Sequence, residues 1–182
     1  YFAYIRQDKR FLPGEVFSTT TIVKMLENCG VGNIISVNTH NPVVLKNLMI
    51  PVEDLSAIPL LAEYFKKKRL VENPLSLSMG KKALSIAQEA DNLLQGGYDY
   101  VASRRDGTTG NVTLEDKPMQ VKNRDAIIFD DIISSGGTMA KAVRMVKDKG
   151  ANRVYGACVH PLLIGDSYKH IIENGAEGII DT

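Results

Sequence analysis

Ala126 to Met139 reads AIIFDDIISSGGTM, an apolar run that ends in two adjacent carboxylates and then a short Ser/Gly/Thr turn. Ala126, Ile127, Ile128 and Phe129 form the continuous hydrophobic run expected of a strand buried on both faces of a parallel sheet. Asp130 and Asp131 follow where that strand should leave the core, and ligands of open α/β sheets bind at such ends. Ser134, Ser135, Gly136, Gly137 and Thr138 then offer hydroxyls and unencumbered backbone N–H groups just before the helical pattern Met139, Ala140, Ala142, Val143, Met145 and Val146. That arrangement suits a phosphate at a helix N-terminus. The carboxylates cannot hold a phosphate, but they accept hydrogen bonds from sugar hydroxyls, directly or through Mg²⁺. A phosphorylated polyol satisfies both halves. An Asp-rich turn followed by an N-capping Ser or Thr, with no ligand, is the alternative that these residues leave open.

On either side of this stretch, apolar runs alternate with amphipathic ones. Helices are expected over Ser18 to Cys29, with Gly30 as the stop, over Ile58 to Phe65, over Lys81 to Leu94, and over residues 139–149 and 166–174, stopped by Gly150 and Gly175. Strands are expected over Asn33 to Val37, Leu75 to Ser78, Tyr98 to Ala102 and residues 153–159, with a polar loop after Ala102. The order predicts an α/β protein with a parallel sheet and helices on both faces. The run Lys66 to Arg69 suits a solvated helix C-terminus, where cations complement the helix dipole, better than a nucleic-acid contact.

The chain of 182 residues is 44% hydrophobic with net charge +1, which allows one sizeable α/β core or parts of two and gives no electrostatic bias toward nucleic acid. No apolar run reaches transmembrane length and no signal sequence leads the chain, so a soluble cytoplasmic protein is expected. Cys29 and Cys158 have no metal-ligand or CxxC spacing and read as small buried thiols. The strand-like residues at both ends, Tyr1 and Phe2 and then Ile179 to Thr182, lead us to expect truncation at both.

A second polar cluster, Arg6, Gln7, Asp8, Lys9 and Arg10, follows an apolar run and precedes the turn residues Pro13 and Gly14. It could grip an anionic ligand such as a nucleotide or be an exposed loop. His40, alone in VNTHNP, is on bare chemistry more often structural than catalytic.

The Asp130–Thr138 segment closely resembles the phosphoribosyl diphosphate loop of type I phosphoribosyltransferases and of ribose-phosphate pyrophosphokinases. The opening YFAYIRQDKRFLPGE resembles the ATP-binding segment of the pyrophosphokinases, which phosphoribosyltransferases lack. VNTHNP, with Asn38 where many members have Asp, IPVEDL from Ile50 to Leu55, and ACVHPLLIGD ending at Asp166 resemble further segments of that family in the same order. The resemblance spans essentially the whole chain and is weakest between Val71 and Asn111.

It implies a type I phosphoribosyltransferase-like parallel sheet flanked by helices within a tandem two-domain architecture. Residues 1–58 would be the remainder of an N-terminal domain and residues 59–182 a C-terminal one. The implied reaction transfers the β,γ-diphosphoryl group of ATP to O1 of ribose 5-phosphate. Arg6, Gln7, Asp8 and His40 would then bind ATP, while Asp130, Asp131, Ser134, Ser135, Gly136, Gly137 and Thr138 would bind ribose 5-phosphate. His40 and Arg105 would serve catalysis, and His40, Asp130 and Asp131 would hold Mg²⁺. A homo-oligomer is implied as well, with neither nucleic acid nor membrane as partner.

The sequence departs from the family at two places. LSLSMG from Leu75 to Gly80 stands where the family has SPDxG, leaving Ser78 and no carboxylate, and Ser103, Arg104 and Arg105 stand where its catalytic loop opens with Lys. Loss of one such electrostatic contact costs on the order of a hundredfold in rate, and Arg104 differs from Lys in reach and geometry. A non-catalytic homologue that binds phosphoribosyl or nucleotide ligands as a regulatory partner is therefore a second reading, and a phosphoribosyltransferase a third.

Overall fold

The computed structural model of the chain describes residues 4, 6–7, 13–16, 18–105 and 112–182. The chain divides into two compact units, Tyr1–Ala57 and Ile58–Thr182. The opening apolar run, together with Asp8, Lys9 and Arg10, lies outside the described residues apart from Tyr4.

In the first unit, helix α1 (Ser18–Asn28) precedes two short parallel strands, β1 (Ile34–Val37) and β2 (Val52–Leu55), with Ile34 opposite Val52 and Val37 opposite Leu55. Between the strands, a 3₁₀ turn (Pro42–Asn47) starts at Asn41, whose side-chain oxygen accepts the Val43 N–H at 3.2 Å. Pro at the first position of the turn gives up a backbone N–H that would have no helical partner there. Val23, Val44 and Leu45 are buried. The strand β2 goes beyond the sequence expectation. Glu53 and Asp54 break up its apolar pattern, and pairing to β1 rather than burial holds it.

The second unit opens with α2 (Ile58–Lys68), β3 (Pro74–Met79), a 3₁₀ turn (Lys81–Ala83), α3 (Leu84–Leu94) and β4 (Tyr98–Val101). A hairpin of β5 (Ser103–Arg105) and β6 (Val112–Leu114) follows, and then β7 (Asp125–Ile133), α4 (Gly137–Asp148), β8 (Val154–Pro161), α5 (Ser167–Glu173) and β9 (Gly178–Asp181). Five strands form one parallel sheet in the order β4-β3-β7-β8-β9.

Strand periodicity sorts the side chains onto two faces. On one, Met139, Val143 and Val146 of α4 share an apolar cluster with Leu75, Leu77, Ala126, Ile128, Val154 and Cys158. On the other, Phe65 of α2 meets Phe129 edge-on at 6.4 Å and Tyr155 at 5.5 Å between ring centroids. Gly96 joins α3 to β4 so tightly that a Cβ there would lie 1.7 Å from the Pro74 carbonyl oxygen, which admits only glycine. The basic run closes α2 as expected: Lys66 donates to the Leu93 carbonyl at 3.0 Å, Lys67 pairs with Glu63 at 2.9 Å, and Lys68 stands over the Tyr64 ring.

Four expectations are corrected. The strand at 126–129 runs on through both aspartates to Ile133, because β8 continues to pair with it as far as Ile133 opposite Pro161. The helix expected from Lys81 begins as a 3₁₀ turn and becomes α-helical at Leu84. The segment after Ala102, expected to be a polar loop, holds two short antiparallel strands, with Ser103 opposite Leu114 and Arg105 opposite Val112. Cys29 is exposed rather than buried, since it follows the last residue of α1, where the chain turns outward.

At the N-terminal edge of the sheet, Asp125 is 2% exposed and accepts from Arg153, with Nη2 at 2.6 Å, and from the Glu72 N–H at 2.6 Å. Burial raises the Asp125 carboxyl, but the Arg153 guanidinium and the Glu72 N–H outweigh it and hold the carboxyl below its usual range. A carboxyl lowered in the folded state contributes stability above its unfolded pKa of about 3.9 and loses it as pH falls through the folded value. Urea denaturation of Asp125→Asn at pH 7 is expected to show a loss of about 1–3 kcal/mol. The difference from the unaltered chain should shrink as the pH falls below about 4; a difference independent of pH would refute this account.

Candidate functional site

The crossover β3-α3-β4 runs toward one edge of the sheet, and β7-α4-β8-α5-β9 runs toward the other. Because β3 and β7 are neighbours, the winding direction reverses between them, and a crevice opens beyond their C-terminal ends. Ser78 to Gly80 reach it from β3, and Asp130 to Thr138 from β7.

The diacid occupies the part of β7 that outruns β3. The last β3–β7 pair is Ser78 with Phe129, whereas β8 keeps pairing, Asp130 with Cys158 and Ile132 with His160. Both aspartates are half-buried, and the Asp131 N–H donates to the Asp130 carboxylate at 3.0 Å. Below them the Cys158 sulfur accepts the Ile133 N–H at 3.1 Å and lies 3.7 Å from the Asp131 carbonyl oxygen. Two half-buried carboxylates at a strand end are hard oxygen donors of the kind that binds Mg²⁺ when water and substrate oxygens complete the shell. Among the described residues no three His, Cys, Asp or Glu side chains gather at metal-binding distance, and His40 belongs to the other unit.

Ser134 and Ser135 lead into Gly136, which has φ +73° and caps α4 without a side-chain hydrogen bond. Gly137 and Thr138 are already the first residues of the helix, two positions earlier than its apolar pattern indicates. Their N–H groups belong to the turn that has no intrahelical partner, the part of a helix that binds anions. The loop is tied from behind: the Leu163 and Ile164 N–H groups donate to the carbonyls of Ile133 and Ser134 at 3.1 and 3.0 Å. A groove of about 360 Å³ opens beside it, lined by Ser135, Ile164, Ser167 and His170 among others. A larger hollow of about 630 Å³ lies between β6 and the C-terminal half of α4, away from these strand ends.

Across the crevice, the Gly80 N–H donates to the Val101 carbonyl at 3.0 Å, and a Cβ on Gly80 would lie 3.3 Å from the Ser103 hydroxyl. The end of β3 and the start of the hairpin are therefore adjacent. Ser78 is fully buried and its hydroxyl lies 3.2 Å from the Gly80 carbonyl, to which it donates. Arg104 is exposed, and Arg105 ends β5.

In the first unit, His40 is exposed on a turn at the end of β1. The Asp54 carboxylate accepts the Ser36 hydroxyl at 2.7 Å and the Thr39 N–H at 3.1 Å. Asn38, with φ +44°, accepts the Ala57 N–H at 2.7 Å, a left-handed position that Asn tolerates better than most residues. The Gln7 side-chain oxygen accepts the Ser18 hydroxyl at 2.6 Å, while Thr19, fully buried, has its hydroxyl 2.9 Å from the carbonyls of Tyr4 and Gln7. Arg6 is exposed, and Asp8 lies outside the described residues. The structure thus brings together the diacid, the serine-glycine loop and the Ser78 and Ser103 positions.

The family model described as "Phosphoribosyl transferase domain" matches residues 73–171, more than half of the chain. The chain belongs to the phosphoribosyl transferase domain family. Over its whole length it is 34% identical to the ribose-phosphate pyrophosphokinase of Saccharolobus solfataricus and 34% identical to that of Methanothermobacter thermautotrophicus, and it covers 62% of each. The chain therefore spans about three fifths of the length of these relatives. It superposes on the phosphoribosylpyrophosphate synthetase of Mycobacterium smegmatis with a TM-score of 0.86 at 26% identity, covering all of this chain and 58% of that one. An orotate phosphoribosyltransferase from Aeropyrum pernix shares the fold, with a TM-score of 0.51 over 69% of this chain and 67% of that one at 19% identity.

Within the phosphoribosyl transferase domain, the residues that sequence reasoning missed lie beneath the loop: Cys158, Leu163, Ile164 and Ser167. The apolar run of β8 marks Cys158 as core, but its place under the diacid follows only from strand register. Burial, and then the neighbouring Asp130 charge, pushes the Cys158 thiol up to about 12. Ellman's reagent at pH 8 is expected to titrate one thiol per chain quickly, exposed Cys29, and a second only after denaturation. Two fast thiols in the native chain would show that the edge between β7 and β8 opens.

Proposed function

We propose that this chain carries out, or contributes the phosphoribosyl half of, ribose-phosphate pyrophosphokinase chemistry: transfer of the β,γ-diphosphoryl group of ATP to O1 of ribose 5-phosphate, giving phosphoribosyl diphosphate and AMP. The observation that carries this reading is the diacid beside a glycine-capped helix start at the β3/β7 reversal, in a chain similar along its whole length to ribose-phosphate pyrophosphokinases.

In this reading the N–H groups and hydroxyls of Ser134 to Thr138 hold the 5-phosphate, and Asp130 and Asp131 accept hydrogen bonds from the ribose hydroxyls. Fixing both ends of the sugar aims O1 across the crevice, so that positioning supplies much of the rate. The transferred group carries several negative charges and needs neutralisation during in-line attack. Mg²⁺ held by Asp130 and Asp131 would supply part of that, and the arginines of the hairpin, Arg104 and Arg105, another part. Arg6, Gln7, Asp8 and His40 are the nucleotide residues of this reading. Their support is the resemblance of their segments, together with a His40 turn fixed by Asp54 and Asn38. A homo-oligomer in the cytoplasm completes the proposal; no described helix is long and apolar enough to cross a membrane.

Ser78 and Ser103 bear on activity together. Gly80, two residues after Ser78, lies against Ser103, so the two departures fall on adjoining segments and together would remove one charge of each sign. The pair of changes therefore alters the local field less than either alone. This adjacency favours an active enzyme. The full burial of Ser78 and the use of its hydroxyl on Gly80 favour the second reading, a ligand-binding homologue without turnover.

AMP formation from Mg-ATP, measured with and without ribose 5-phosphate, separates the two. Ribose-phosphate-dependent AMP is expected from the unaltered chain, with Asp131→Asn lowering kcat/KM for ribose 5-phosphate about ten- to hundredfold. Ser103→Lys alone should gain less than Ser103→Lys combined with a carboxylate restored next to Ser78. Saturable ribose 5-phosphate binding without AMP, with AMP appearing only in the combined variant, would instead establish the non-catalytic reading.

A further inference from the structure

Gly136 is the point on which the phosphate loop turns. Its carbonyl accepts the first α4 hydrogen bond, from the Ala140 N–H at 2.8 Å, so its position sets where the N–H groups of Gly137 and Thr138 point. It has no room on the side away from the crevice. A Cβ placed there would lie 2.9 Å from the Ser167 Cβ, 3.1 Å from the Ser167 carbonyl oxygen and 3.1 Å from the Ile171 Cδ1. Ser167 is 3% exposed and Ile171 fully buried, so this support is packed protein rather than a mobile surface. The two hydrogen bonds from Leu163 and Ile164 to the carbonyls of Ile133 and Ser134 fix the residues just before Gly136 to the same segment.

We infer that Ser167 is a positioning residue of the phosphate loop: the small side chain at residue 167 sets the depth at which Gly136 seats and hence the aim of the anion-binding N–H groups. The inference rests on the proposed phosphoribosyl reading only for what the loop binds, not for the contact itself. Shape, rather than hydrogen bonding, is what residue 167 contributes, since the Ser167 hydroxyl is buried without a hydrogen-bond partner among the described residues. Such a hydroxyl costs free energy, whereas alanine fills nearly the same space. A β-branched residue does not: its added methyl group meets a packed contact and moves the neighbouring backbone.

The test compares the full chain with Ser167→Ala and Ser167→Val. Two quantities are read: the ¹H–¹⁵N positions of the Gly136, Gly137 and Thr138 amides without ligand, and the affinity for ribose 5-phosphate by calorimetry. Ser167→Ala should leave the three amides in place and the affinity within about twofold of the unaltered chain, and Ser167→Val should move the three amides and weaken ribose 5-phosphate about tenfold or more. If the chain turns over, KM for ribose 5-phosphate rises and KM for ATP does not. If Ser167→Val fails to fold, Ser167→Thr, which adds one methyl and keeps the hydroxyl, takes its place. Unmoved amides in the β-branched variant overturn the inference, as does a loss in Ser167→Ala equal to that in Ser167→Val. Moved amides in a chain whose unaltered form does not bind ribose 5-phosphate would support Ser167 as the seat of the loop and defeat the phosphoribosyl reading alone.

Discussion

The candidate site depends on a mismatch in length between two strand ladders. β3 accompanies β7 only to Phe129, while β8 accompanies it to Ile133. The four residues in between are strand on one edge and open on the other. A carboxylate on a fully paired central strand would face a packed layer and carry a heavy desolvation cost. On the overhang, Asp130 and Asp131 keep the rigidity that β8 gives and still reach solvent. On the paired side, the Leu163 and Ile164 N–H groups carry the tie past the end of β8 to the loop at Ser134.

Much of this was legible in the sequence, for identifiable reasons. Ala126 to Phe129 reads as a doubly covered strand, and the helix over Met139 to Val146 shows a clean period, because burial there acts on side chains alone. Glycine stops were equally readable: Gly150, with φ +90°, ends α4 where expected. The missed strands share one cause. β2, the β5/β6 hairpin and the second half of β7 are held by backbone pairing to a partner elsewhere in the chain, and their side chains are polar or mixed, so no hydrophobic pattern announces them. Cys29 was misjudged because a thiol's apolar character says nothing about which side of a helix end it occupies.

The site itself divides in the same way. The diacid and the serine-glycine loop are contiguous and carry their chemistry in their letters. The adjacency of Gly80 and Ser103, and the packing of Ser167 under Gly136, join residues more than twenty positions apart and exist only in three dimensions. That separation changes how the two serine departures are weighed. Along the sequence they are two separate departures; in the fold they lie on adjoining segments, joined where Gly80 meets Ser103.

The Asp125–Arg153 pair and the diacid sit at opposite ends of the same strand. The first is a closed arrangement in which a buried carboxylate meets a guanidinium and a backbone N–H. The second is left open toward solvent. Substitutions that far apart act additively. A lineage could therefore raise or lower the heat tolerance of this domain from the N-terminal edge of the sheet while the candidate site at the other end of β7 drifted on its own schedule, and a protein engineer could do the same in either order.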